Sequence, residues 1–179
     1  MAGLLTLPFF LSCFFTVLSF ACPNANAKAF PKKLPSPPKI VFPLLCPVRE
    51  YDWIPAWKCE IIYSKSGYAE LGCVFTTDFK DHSGPETWVV CAYEKNRLIG
   101  FVKTGVHSTT RYNVSLDQDH AGSMIKWEQE ITSLDEHGDQ LLDKITETAY
   151  NVKMKHISKL LEYYLLHGKP INDHESDHR

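Results

Sequence analysis

The chain has 179 residues, the length of one domain or of one domain with a targeting segment. Its 19 Lys and Arg against 21 Asp and Glu leave a formal net charge of -2, which excludes a surface built to coat polyphosphate, so no nucleic-acid partner is expected. With 22% charged and 44% apolar residues, global disorder and a many-span membrane protein are excluded as well.

Charge is unevenly placed, because the first 27 residues contain no Asp, Glu, Lys or Arg. Residues 4–21 form an apolar run that relaxes into small residues ending Ala25-Asn26-Ala27. An apolar stretch closed by an Ala-x-Ala pattern reads as a secretory signal peptide over residues 1–27, cut after Ala27. No Lys or Arg precedes the run, and 18 helical residues reach about 27 Å. The alternative is therefore an uncleaved anchor over residues 4–21, with membrane contact through that segment. On either reading the chain is expected to be exported, to the periplasm or the medium.

Seven of the eleven prolines lie between Pro31 and Pro55, so this stretch holds only short elements. Residues 28–34 read as an edge strand that tolerates Pro31. Pro37-Pro38 opens a brief helix over residues 39–45, and residues 49–57 form a second short helix or structured loop. Strands then follow at residues 59–64, 72–79, 87–93, 98–103, 109–117 and 123–132, separated by turn residues. Connections this short require an antiparallel meander. Tyr112, Val114 and Leu116 alternate with Arg111, Asn113 and Ser115, so one sheet face is dry. Residues 139–167 lack Gly and Pro and read as one long helix, capped by Gly168 and stopped by Pro170. Its apolar arc runs through Leu141, Leu142, Ile145, Ala149, Val152, His156, Leu160 and Tyr163. A helix of about 43 Å cannot lie flat on a strand of about 26 Å; it crosses a twisted, curved sheet that wraps it, and the space left between them is where function is expected. Residues 28–170 make the domain, and residues 171–179 a disordered tail.

Of the six cysteines, Cys46, Cys59, Cys73 and Cys91 fall in the folded part, with no Cys-x-x-Cys pair. Export favours disulfides among them, and apolar neighbours around Cys73 and Cys91 favour buried free thiols; both stay open. The sequence holds no phosphate-cradling glycine loop and no His-Glu-x-x-His, so no cofactor and no metal are expected. His167, His174 and His178 with Asp173, Glu175 and Asp177 belong to a solvated tail, and Asn113-Val114-Ser115 is a chance match to a glycosylation acceptor.

The segment from Leu44-Leu45-Cys46-Pro47-Val48-Arg49 through Trp53-Ile54-Pro55-Ala56-Trp57 to Lys58-Cys59-Glu60 resembles the signature of a bacterial branch of the START/SRPBCC superfamily. Gly72-Cys73-Val74-Phe75, Thr87-Trp88-Val89-Val90 and Tyr164-Leu165-Leu166-His167-Gly168-Lys169 extend the likeness over residues 32–169. The resemblance implies an α+β, helix-grip (Bet v 1-like) fold: a strand, two short helices, six more antiparallel strands and a long helix over an internal cavity. It also implies a small apolar ligand or lipid as partner. Ala56 departs from the Gly usual in that segment.

Within this frame, Trp53, Trp57, Phe75, Trp88, Phe101, Tyr112 and Trp127 are candidate cavity-lining aromatics, with Ile145, Val152 and His156 from the helix. Each is equally a core-packing residue. Trp53 and Trp57 sit in an irregular, proline-bounded segment near the expected entrance. Glu50, Tyr51 and His156 are the candidate acid–base groups, although no nucleophile–base pair appears by spacing. The reading is binding of a small hydrophobic molecule, for transport or sequestration. The alternatives are a polyketide cyclase/dehydratase-like enzyme in the same cavity, or a groove for a partner's apolar segment. A core without a cavity of about 300 Å³ counts against the first reading.

Overall fold

The structure, a computed structural model, describes residues 25–55, 57–79 and 84–171. The apolar run of residues 4–21, Ala56 and the tail from residue 172 lie outside the described residues.

Seven strands form one antiparallel sheet in the order β1-β7-β6-β5-β4-β3-β2. They are β1 (Ala25–Leu34), β2 (Cys59–Tyr63), β3 (Val74–Thr77), β4 (Glu86–Glu94), β5 (Leu98–Thr104), β6 (Ser108–Asp119) and β7 (Gly122–Ser133). The six later strands are a meander, as their short connections require, and β1 closes onto β7 as an edge strand that carries Pro31. Strand β1 starts three residues before the Ala27 cut: Ala25, Asn26 and Ala27 pair with Thr132, Ile131 and Glu130.

Between β1 and β2 the chain makes α1 (Pro38–Val41), a 3₁₀ turn (Phe42–Leu45) and α2 (Pro47–Glu50). Pro38 and Pro47 sit in first turns, where no amide donor is missed. These pieces plug one end of the sheet with Val41, Phe42, Leu44 and Leu45, all at most 5% exposed.

The single long helix expected over residues 139–167 is two helices, α3 (Glu136–Leu142) and α4 (Glu147–His167). Local hydrogen bonding breaks it. Thr146 is extended at ψ 160°, and its hydroxyl accepts from the Ala149 amide at 3.1 Å. Glu147 stands in the first turn, so a new N-terminus is capped there. Asn26 donates its side-chain amide to the Ile145 carbonyl at 3.1 Å, satisfying a group that the break exposes. Asp135 caps α3 in the same way, accepting from the Gly138 amide at 2.8 Å. The far end of α4 follows expectation: Gly168 has φ 68° and donates to the Tyr164 carbonyl at 2.8 Å.

The break also resets the helix phase. Carrying the apolar arc across it puts Val152 and His156 inward, but Val152 is 63% exposed and His156 is exposed too. The face that α4 buries is Tyr150, Met154, Ser158, Leu160 and Leu161, with Ile157 and Leu165 packed beside them, so Leu160 of the expected arc does face inward. That face is rotated by roughly 140° from the expected one at 100° per residue. Two ion pairs fix α4 along β1, Lys28 to Glu147 at 3.1 Å and Lys32 to Glu162 at 2.8 Å. Ile171, at the start of the expected tail, is 7% exposed and belongs to the core.

Candidate functional site

The inward side chains of the sheet fall into two zones. Toward the plugged end they are apolar: Ile99, Val114, Leu116 and Ile125. An aromatic wall follows. Trp88 stacks on Phe75 at 5.5 Å and on Tyr112 at 5.3 Å, and Phe101 meets both Phe75 and Trp88 edge-on. Each such contact contributes about 0.5–1.5 kcal/mol beyond burial. Trp88 also donates its indole N–H to the Thr77 hydroxyl at 2.9 Å.

Beyond that wall lies a cleft of about 380 Å³, lined in part by Lys144 and Ile145 of the break between α3 and α4. Its upper walls are Leu141 and Leu142 from α3, Ile145 from the break, and Ala149 and Tyr150 from α4. Its floor comes from the sheet: Glu86 on β4, Lys103 on β5, Thr110 and Tyr112 on β6, Gln129 and Ile131 on β7. The segment Gly105-Val106-His107 forms the lip. The cleft exists because α3 turns away at the break and caps the ends of β6 and β7 instead of prolonging α4.

The α3 lid is pinned at its N-terminus. His107 Nδ1 lies 2.7 Å from Asp135 Oδ2, and this bond with the Gly138 amide holds the Asp135 carboxyl below its usual range. The Leu134 amide donates to the His107 carbonyl at 2.9 Å. The rings of His107 and His137 lie 4.3 Å apart.

On the floor, Lys103 Nζ contacts Glu86 Oε1 at 2.6 Å, with both side chains only 11–12% exposed. The ammonium also sits over the faces of Trp88 (5.5 Å) and Tyr112 (5.9 Å). Burial, with the Glu86 charge second, drives the Tyr112 hydroxyl far above its usual value, so it is neutral. Burial likewise pushes Tyr150 up to about 12, and its hydroxyl donates to the Trp127 carbonyl at 3.4 Å.

Of the residues singled out from sequence, Tyr112 and Ile145 line the cleft. Phe75, Trp88 and Phe101 form the wall beneath it. Trp127 is 8% exposed and packs on Phe30 at 6.3 Å. Trp53 and Trp57 pin the short helices: their indoles donate to the Leu44 and Pro47 carbonyls, each at 2.8 Å, and Trp57 also packs on Phe79 at 5.7 Å. The structure does not bring Glu50, Tyr51 and His156 together at the cleft. His156 faces outward, and the Tyr51 hydroxyl donates to the Cys59 carbonyl while accepting from the Cys59 amide, both at 2.8 Å. Glu86, Lys103, Thr110 and Gln129 escaped sequence reasoning. Their signal was parity: each holds an inward position on its strand, so a polar side chain there faces the interior.

The four folded-region cysteines are free thiols. Cys46 and Cys73 are buried, whereas Cys91 is exposed, turned outward at the irregularity between Val90 and Ala92. Among the described residues no cluster of His, Cys, Asp and Glu could hold a metal ion.

Glu50 is half-buried, and burial pushes its carboxyl up to about 8. Between the ordinary value of 4.5 and about 8, the folded chain holds a proton that the unfolded chain has released. Stability therefore falls as pH rises through that window. Glu50→Gln is expected to raise stability at pH 8 by about 1–2 kcal/mol and to change little at pH 4. Urea titrations of both chains at the two pH values check this; an equal effect at both contradicts it.

No protein-family model matches the sequence, and no curated protein matches it. Solved structures do match the fold. An uncharacterised protein from Rhizobium leguminosarum superposes at TM-score 0.59 with 13% identity, over 79% of this chain and 95% of its own. Ara h 8.0201 gives TM-score 0.57 with 18% identity, over 79% of this chain and 98% of its own. Norcoclaurine synthase from Thalictrum flavum, solved with dopamine and hydroxybenzaldehyde, gives 0.59 with 12% identity, over 81% and 88%. At these identities the likeness establishes the fold, the α+β helix-grip fold seen in Bet v 1-type proteins.

Proposed function

We propose that this helix-grip chain binds a small, largely apolar molecule in the cleft between its broken C-terminal helix and the floor of its sheet. The carrying observation is the cleft itself: about 380 Å³, within the range of small-molecule sites, roofed by Leu141, Leu142 and Ile145 and floored by a few placed polar groups. The small-molecule complex of norcoclaurine synthase, a protein of like fold, supports the same reading. Binding is favoured over catalysis because the acid and base on the floor, Glu86 and Lys103, are closed on each other, and Glu50, Tyr51 and His156 stand outside the cleft. The uncharged first 27 residues support an exported binder, engaged in transport or sequestration outside the cytoplasm.

The test uses the neutral fluorophore N-phenyl-1-naphthylamine with the full chain and with Leu142→Trp, which fills the cleft from its roof. The expected result is 1:1 binding that weakens at least about tenfold in the variant, with an unchanged circular dichroism spectrum. Binding that is unaffected by Leu142→Trp, or no binding to the parent chain, overturns the proposal.

A further inference from the structure

The floor of the cleft carries polar groups that the fold itself does not use. Thr110 is 1% exposed and Gln129 9% exposed, and Tyr112 is half-buried beside them. Tyr112 and Gln129 are direct cross-strand partners, and Thr110 stands opposite both Lys103 and Ile131. Among the described residues, the Thr110 hydroxyl, the Gln129 amide and the Tyr112 hydroxyl have no hydrogen-bond partner. No buried side-chain nitrogen or oxygen is sealed off without a partner, so these three reach the cleft, which all of them line. Side chains that are nine-tenths buried normally find partners within the protein. Two that do not, Thr110 and Gln129, with the half-buried Tyr112 beside them at one spot on two adjacent strands, are a built recognition surface.

Their chemistry defines what they meet. Each can both donate and accept, and each is uncharged, Tyr112 being held neutral by its surroundings. The fixed charges beside them, Lys103 and Glu86, already neutralise each other at 2.6 Å. A carboxylate lowered onto this floor would lose its hydration and approach the Glu86 charge, with the Lys103 ammonium already engaged. A plain hydrocarbon would displace water from the three groups and return nothing. Lys144 and Lys153 lie at the rim, on exposed stretches of the break and α4. There their charge is screened by solvent and does not reach the floor.

We infer that the floor formed by Thr110, Tyr112 and Gln129 selects a ligand with an uncharged hydrogen-bonding group, a hydroxyl or a carbonyl, on an apolar body. The inference rests on the cleft being the ligand site and adds which chemical class it takes. The body lies between Ile131 below and Leu142 and Ile145 above, while its oxygen meets Gln129 and Thr110.

Three probes of one shape separate the alternatives: 2-naphthol, naphthalene and 2-naphthoate, measured by equilibrium dialysis at pH 7 against the full chain, Thr110→Val and Gln129→Met. The expected result is 2-naphthol bound about tenfold tighter than either of the others. That preference over naphthalene should shrink to about twofold in either variant while naphthalene affinity holds or rises. Equal binding of naphthol and naphthalene by the parent, tighter binding of naphthoate, or a preference that survives in both variants overturns the inference and leaves the cleft as a binding site. If none of the three probes binds the parent chain, the cleft reading and the inference fall together. Thr110→Val keeps side-chain shape, so a folding defect in Gln129→Met leaves the comparison decided by the other variant.

Discussion

Lys103→Met is expected to destabilise the chain by about 3 kcal/mol, the low end of what breaking a buried ion pair costs. The parent pair is short, 2.6 Å, and nearly enclosed. Removing the ammonium leaves the Glu86 carboxylate where desolvation is unfavourable, and the two ring faces under Nζ lose their cation. Adding Glu86→Gln to Lys103→Met should recover more than half of the loss, because the penalty lies in a buried carboxylate that has lost its ammonium and not in missing volume. Urea denaturation of the parent, both single variants and the double variant gives the coupling directly. Additive single losses with no recovery would mean that the two groups stabilise the fold independently, and that the floor is not the closed, neutral pair on which the ligand argument draws.

Gly138→Ala is the second large effect, and it acts through the lid. A methyl at position 138 would lie 2.1 Å from the His107 carbonyl oxygen and 3.0 Å from Ser133 Cβ. The first of these is backbone and cannot swing aside. Helix α3 must then lift from the β5–β6 lip or distort. Either outcome strains the Leu134-to-His107 hydrogen bond and moves Leu141 and Leu142 away from the cleft. The expected cost is about 2–3 kcal/mol, in the range of overpacked interiors. The accompanying signature is faster hydrogen exchange at the Leu134 amide and weaker binding of the neutral naphthyl probe, while the amides of β6 and β7 near Ile125 stay protected. A variant with parent-like exchange at Leu134 and unaltered probe binding would show that α3 is not the roof of the site.

The elements of this fold were largely legible in the sequence because their signals are local. The meander follows from turn residues and strand alternation, the edge position of β1 from Pro31, and the end of α4 from Gly168. The helix break was not legible. Residues 139–167 carry no Gly or Pro, and the break comes instead from a capping hydroxyl, Thr146. A carbonyl also finds its partner 119 residues away, at Asn26. Propensity favours continuation there, and tertiary hydrogen bonding decides against it.

Of the candidate lining residues only Tyr112 and Ile145 line the cleft, for the same reason. Large aromatics suggested a lining, yet Trp53 and Trp57 spend their indole donors on the Leu44 and Pro47 carbonyls, and Phe75 and Trp88 stack into a wall. The cleft opens one layer further on, at the break, where the floor is polar. Parity along β5, β6 and β7 pointed Lys103, Thr110 and Gln129 inward, but sequence offers no way to tell a buried polar residue with a partner from one left for a ligand.

The most direct measurement is an isotope-filtered NMR experiment on the chain with 2-naphthol, reading nuclear Overhauser contacts from the ring protons to assigned methyl groups. Contacts to Ile131, Leu142 and Ile145, with none to the Trp53 indole, are the predicted result. Contacts confined to exposed apolar residues at the opposite edge, such as Ile62 and Leu71, or to the plugged end around Trp53, would contradict the account.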